Sequence, residues 1–151
     1  MTQQALKIGE LATQTGSSVE TIRYYEQQNL LPQASRSPSN YRLYGEKHVK
    51  RLQFIRHCRS LDMTLDEIRT LLAFQDTPEA NCAGVNTLLD RHIGHVANRI
   101  KELKALQIEL KELRNSCLTI QSVEACGILQ NLASAEDTDP KNLGSHSGGC
   151  H

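Results

Sequence analysis

Five cysteines, Cys58, Cys82, Cys117, Cys126 and Cys150, and six histidines are the side chains of this sequence best suited to chemistry. Thiolates are soft donors that select heavy or late transition ions over Mg or Ca, and they release protons as they bind. An odd cysteine count without a Cys-x-x-Cys pair argues against a disulfide framework or a dithiol catalyst, so metal binding is the leading expectation. Cys58 lies in an apolar helical pattern and reads as core. Cys82 and Cys117 are 35 residues apart, which is five heptads on one helix face, with Cys126 just beyond.

That spacing sets a geometric condition. Five heptads of helix span roughly 50 Å at about 1.5 Å per residue, so Cys82 and Cys117 of one chain cannot hold the same ion. If two such helices pair antiparallel about a centre near Arg99 and Ile100, Cys82 of each lies opposite Cys117 of the other, and Cys126 is close by through a short loop. Two equivalent three-thiolate sites result. The further candidate ligands are Asn86, His92 and His95 on the helix and His146, Cys150 and His151 in the tail. His92 and His95 share a face at i and i+3 but read more simply as a solvated or interfacial pair, and scattered tail histidines are more often inert.

The elements that must position these groups are mostly helical. With 151 residues, six aromatics and many Leu, Glu, Lys, Gln and Arg, the composition predicts a mainly α protein of one or two small modules. Apolar Ile8, Leu11 and Ala12 end at Thr15-Gly16, where Ser17 with Glu20 predicts a capping box opening a second helix to about Gln28. Two short helices through a tight turn predict a helix-turn-helix, with Thr21, Arg23 and Tyr24 on its exposed side. Residues 29 to 45 carry Pro32, Pro38 and Asn40 before the alternating Tyr41-Arg42-Leu43-Tyr44, which predicts a β-hairpin wing. A third helix from Glu46 to about Ser60 and a fourth capped by Thr64 and Glu67 complete a module ending near Gln75.

Pro78 and Asn81-Cys82 then open the longest element. One heptad column runs Cys82, Leu89, Val96, Leu103, Leu110, Cys117 and the other Val85, His92, Arg99, Leu106, Leu113, broadened by Ile93 and Ile100. No other segment is long enough to cover this seam, so a homodimer through the same helix is expected. The anticipated organisation is residues 1–75 for DNA binding, 76–117 for linker and dimerisation helix, 118–132 for a metal-binding loop and short helix, and 133–151 as a disordered tail. The charge supports two modules: residues 1–75 sum to +3 and residues 76–151 to −3. The basic module is where phosphate contacts are needed, and Thr21, Arg23, Tyr24, Arg42 and Tyr44 are its candidate DNA contacts. Tyr24, Tyr41 and Tyr44 could equally fill the joint between helix and wing. With no apolar stretch to suggest a membrane span or signal peptide, a cytoplasmic location is expected.

Through Ile8-Gly9-Glu10-Leu11-Ala12, Val19-Glu20-Thr21-Ile22-Arg23-Tyr24-Tyr25-Glu26, Leu30-Leu31-Pro32 and Asn40-Tyr41-Arg42-Leu43-Tyr44, the chain closely resembles the MerR family of transcriptional activators, a likeness that extends to about residue 132. The resemblance implies a winged-helix DNA-binding domain, an antiparallel coiled-coil homodimer and a C-terminal effector site. It also implies a promoter with too long a spacer, distorted on effector binding so that RNA polymerase can use it. The copper(I) branch usually has Ser where this chain has Cys82, the redox branch carries four clustered cysteines, and multidrug-binding members append a ligand domain. Mercury sensors share the three-cysteine spacing, which keeps Hg(II) open, as is Zn(II). Asn81-Cys82, Val85-Asn86, Leu88-Leu89-Asp90, His92-Ile93, His95-Val96 and Cys126-Gly127-Ile128-Leu129-Gln130 look most like lead- and cadmium-responsive regulators, which makes Cd(II) or Pb(II) the expected effector. A thiol-based redox enzyme would need paired cysteines or an activating base, and a constitutive architectural DNA-binding protein would not need three thiols.

Overall fold

In the computed structural model, which describes residues 4–134, α1 (Ile8–Thr15) starts where the Lys7 N–H donates to the Glu10 carboxylate at 2.7 Å. It ends at Gly16, whose φ of 68° lets its N–H return to the Ala12 carbonyl. Only glycine takes that conformation without a Cβ penalty, and a Cβ there would also run into the Arg56 guanidinium, which donates to the Thr15 carbonyl.

α2 (Val19–Gln27) is capped by Ser18, whose Oγ accepts the Thr21 N–H at 3.1 Å. The expected cap at Ser17 is displaced by one residue. Ser17 still belongs to the end of α1, its N–H donating to the Ala12 carbonyl at 3.1 Å. Glu20 consequently stands at the second helical position rather than the third, where the reach back to the cap is made. Leu11 of α1 and Ile22 of α2 are both fully buried, and α1 packs on α2 and on α3 (Glu46–Ser60).

The wing is a hairpin of β1 (Ser35–Arg36) against antiparallel β2 (Arg42–Leu43), in register Ser35 with Leu43 and Arg36 with Arg42. Pro38 and Asn40 make its tip: the Asn40 N–H closes on the Ser37 carbonyl at 2.8 Å, with Asn40 at φ 66°. Leu6 and Tyr44 exchange two 2.8 Å backbone hydrogen bonds and anchor the base of the wing to the segment before α1.

α3 buries Val49, Leu52, Ile55 and Cys58, the last as core. α4 (Leu65–Gln75) is capped by Thr64, which accepts the Glu67 N–H at 3.1 Å, and buries Ile68, Leu71 and Leu72. Arg51 ties the module together, donating to Asp76 through two nitrogens at 3.0 and 2.9 Å and to the Leu30 carbonyl at 3.3 Å. The guanidinium holds the Asp76 carboxyl below its ordinary range.

The described residues fall into two units, one through Leu88 and the other from Leu89 onward, so the division lies inside α5 (Ala83–Asn115). Its 33 residues make a helix about 50 Å long. Cys82 and Cys117 flank α5 rather than ending its heptads. The Cys82 carbonyl accepts the Asn86 N–H at 3.0 Å as the first helical bond, and the Cys117 N–H closes the last turn on Arg114 at 3.3 Å. Along the helix Ile93, Val96, Ile100, Leu103 and Leu110 are exposed.

Beyond Cys117 the chain runs through a 3₁₀ turn (Val123–Ala125) into α6 (Gly127–Ser134). Because α6 includes Ala133 and Ser134, the helix continues into the stretch expected to be tail, and the rest of that expectation lies outside the described residues. Among the described residues no helix is long and apolar enough to cross a membrane.

Candidate DNA-contacting face and metal-binding residues

The exposed side of α2 and the wing border a common cleft of about 450 Å³, lined by Arg23, Glu26 and Gln27 from α2, Gln33 from the connecting loop and Arg42 from β2. Arg23 is exposed and Tyr24 is 40% exposed. Thr21 is half-buried, with Oγ1 2.8 Å from the Ser18 hydroxyl, so its hydroxyl already serves the helix start. Two guanidinium groups facing one cleft can engage phosphate oxygens, and their planar donors suit that geometry.

Tyr44 does not belong with them. Its ring is 1% exposed and its hydroxyl donates to Glu26, so it fills the joint between α2 and the wing instead of presenting its phenol to DNA. Burial first, and then the adjacent Glu26 carboxylate, push its pKa up to about 12, so the phenol stays protonated. Glu26, 7% exposed, also accepts from Arg42 Nη1 at 3.3 Å, leaving the Arg42 side chain 42% exposed. One carboxylate therefore holds both the buried tyrosine and the wing arginine.

The sequence pattern assigns Glu26 no role of its own. Its signal was an acidic residue four places after buried Ile22, hence on the inward stripe of α2. His48, 2% exposed, is likewise given no role by the sequence pattern: Nδ1 accepts the Gly45 N–H at 3.0 Å and Nε2 lies 3.2 Å from the Pro32 carbonyl, so the proton sits on Nε2. Burial lowers the pKa of His48 and favours this neutral form, which pins the wing's end to the loop after α2.

The thiols separate into two groups. Cys82 is exposed at the start of α5, beside an apolar hollow of about 430 Å³ lined by Phe54, Cys58, Leu71, Phe74 and Val85. Burial pushes the Cys58 thiol up, against thiolate formation. Cys117 and Cys126 lie on chain segments that meet where Gly127 approaches the Ser116 carbonyl, and Cys126, the residue before α6, is influenced by the backbone N–H groups of Leu129 and Ile128 and by the Cys117 side chain. Those donors, Leu129 foremost, hold the Cys126 thiol below its ordinary value and raise its thiolate fraction at neutral pH. The Cys117 sulfur is also 3.5 Å from the Thr119 carbonyl.

Gly127 makes the pairing sterically possible, since a Cβ there would strike the Ser116 backbone carbonyl. The Gln130 N–H donates to the Cys126 carbonyl at 3.1 Å, and the Gln121 amide donates to the Ala125 carbonyl at 2.8 Å. Two soft donors are thereby presented side by side, and the donor set fits a thiophilic cation that is completed by ligands from elsewhere. Asn86, His92 and His95 all lie on α5, the two histidines one turn apart, while His146, Cys150 and His151 lie outside the described residues.

Comparison with known proteins fits this picture of a winged helix followed by a long helix. Residues 6–75 match the family described as MerR HTH family regulatory protein, and residues 49–113 match that described as MerR, DNA binding. The chain is 46% identical over 114 residues to an HTH-type transcriptional regulator ZntR homolog from Haemophilus influenzae, covering 76% of this chain and 84% of that one. This chain belongs to the MerR family. Among solved structures, the transcription regulator PbrR691 from Ralstonia metallidurans CH34 in complex with lead(II) superposes with a TM-score of 0.74 at 50% identity, covering 84% of this chain and 98% of that one. The dual function transcriptional regulator MerR from Bacillus megaterium MB1, in complex with mercury(II), gives a TM-score of 0.64 at 33% identity over 85% of this chain and 99% of that one. As a MerR protein it is a DNA-binding transcriptional regulator and not an enzyme.

Proposed function

We propose that this regulator senses Cd(II) or Pb(II) and activates metal-resistance genes from a promoter it occupies as a homodimer. Each sensing site takes Cys82 of one subunit together with Cys117 and Cys126 of the partner subunit. The observation that carries this reading is the approach of the Cys117 and Cys126 segments where Gly127 meets the Ser116 carbonyl, while Cys82 stands at the other end of a 33-residue helix. The likeness to a lead-bound regulator at 50% identity supports the ion.

On this reading residues 1–75 bind double-stranded promoter DNA through Arg23 and Arg42, with Thr21 and Tyr24 beside them. Residues 76–117 link and dimerise through the exposed seam of α5, residues 118–132 take the metal, and residues 133–151 are a tail outside the site. Ion binding at both ends of the paired helices reorients the two DNA-binding modules, distorting the promoter so that RNA polymerase can use it, and the protein works in the cytoplasm. Hg(II) is the second candidate, favoured by the likeness to a mercury-bound regulator and by the softness of three thiolates; Zn(II) ranks below it.

A mixed dimer tests the shared site. When one chain carries Cys82→Ser and the other Cys117→Ser, both lesions fall in the same shared site and the opposite one stays whole. The isolated mixed dimer then binds one Pb(II) tightly, read by thiolate-to-lead absorbance, against two for the unaltered protein. No tight ion at all means that each subunit builds its own site, and the reading fails.

A further inference from the structure

Cys117 and Cys126 are adjacent within a single chain, whatever a second subunit adds. The Ser116 carbonyl and the Gly127 backbone are in contact with no room for a Cβ between them, and the two cysteines are their immediate chain neighbours. The Cys117 side chain is among the groups that hold the Cys126 thiol below its ordinary value, after the Leu129 and Ile128 backbone. A disulfide needs Cα atoms about 4.4–6.8 Å apart, and the approach of Gly127 to the Ser116 carbonyl brings the chain segments of the two cysteines side by side. Neither thiol is buried, whereas Cys58 is, and the 3₁₀ turn and α6 present the pair on the surface of their unit.

We propose that this pair is also a modification site for a peroxide oxidant, which converts it into an intrachain disulfide. In the first step the Cys126 sulfur attacks one oxygen of hydrogen peroxide, the O–O bond breaks, and Cys126 becomes a sulfenic acid with release of one water. In the second the Cys117 sulfur attacks that sulfenic sulfur, the S–O bond breaks, the S–S bond forms, and the second water leaves with the Cys117 proton. Two thiols are oxidised by two electrons and one peroxide is reduced to two waters. The consequence for sensing rests on the proposed three-thiolate site: the disulfide removes two of its three donors, so an oxidised regulator is blind to the metal until a thiol reductant restores it.

The test uses the full chain, metal-free and reduced, treated with a small molar excess of hydrogen peroxide. Cleavage after Arg114, Glu124 and Lys141 places Cys117 and Cys126 on separate peptides. The expected result is a loss of two of the five thiols and recovery of those two peptides joined until reductant is added. The same linkage forms in Cys82→Ser and is absent from Cys117→Ser and Cys126→Ser. Covalent dimers on a non-reducing gel, over-oxidised single cysteines, or no thiol loss would overturn the proposal. The oxidised protein is then titrated with Pb(II), and its thiolate-to-lead absorbance should vanish and return on reduction. If the disulfide forms but the absorbance survives, the modification site stands and the three-thiolate reading fails.

Discussion

The segment through α4 and the segment from Leu89 onward handle apolar surface in opposite ways. In the first, Leu11, Ile22, Leu30, Leu52, Ile55 and Ile68 are all at most 1% exposed, covered by residues of the same chain. In the second, Ile93, Ile100, Leu103 and Leu110 are 47–61% exposed although they recur at heptad spacing. Burying one such side chain is worth about 1.5–3 kcal/mol, so the first segment collects that stabilisation within one chain and the second collects it only against another surface. A closed core and an open seam stand in one sequence, the first carrying the DNA-binding module and the second serving, on the proposed reading, to join two copies.

The widest separation is expected from paired core and seam truncations. Leu52→Ala should destabilise the DNA-binding module by about 2–5 kcal/mol at any protein concentration, because the lost contacts are internal. Leu103→Ala should leave that module's unfolding nearly unchanged and instead weaken self-association, seen as a rise in dimer dissociation constant by sedimentation. Equal effects of the two changes on a dilute monomer would remove the distinction.

A smaller effect is expected on the DNA face. Arg23→Ala and Arg42→Ala should each weaken operator binding with or without metal, and loss of a phosphate contact should reduce the salt dependence by about one unit of slope. Because Arg42 also sits on Glu26, its replacement should lower the melting temperature as well, whereas exposed Arg23 should not. Unchanged affinity in both variants would show that the cleft between α2 and the wing is not the contact.

The smallest effect sharpens the turn. Ser18→Ala removes the cap on the Thr21 N–H and should cost about 1 kcal/mol in denaturant unfolding. Ser17→Ala keeps the backbone bond that Ser17 makes and should cost less than about 0.5 kcal/mol. The reverse order would restore Ser17 as the cap.

Periodicity and residue type by themselves determined the helices, the wing, the Thr64 cap, the core role of Cys58 and the exposed seam, since each depends on neighbours within a few positions and on which face is apolar. The spacing of Cys82 and Cys117 also determined that no single chain could join them, a consequence of helix rise alone. Tertiary structure decided the rest. It chose Ser18 over Ser17 because the closing bond of α1 claims the Ser17 N–H, and it took Tyr44 out of the candidate DNA face by burying it on Glu26, 18 residues away in sequence. It also set Cys126 at the start of α6 beside Cys117, through a backbone approach that only Gly127 admits. Contacts of that kind join residues whose separation along the chain carries no period, so local pattern has no register from which to read them.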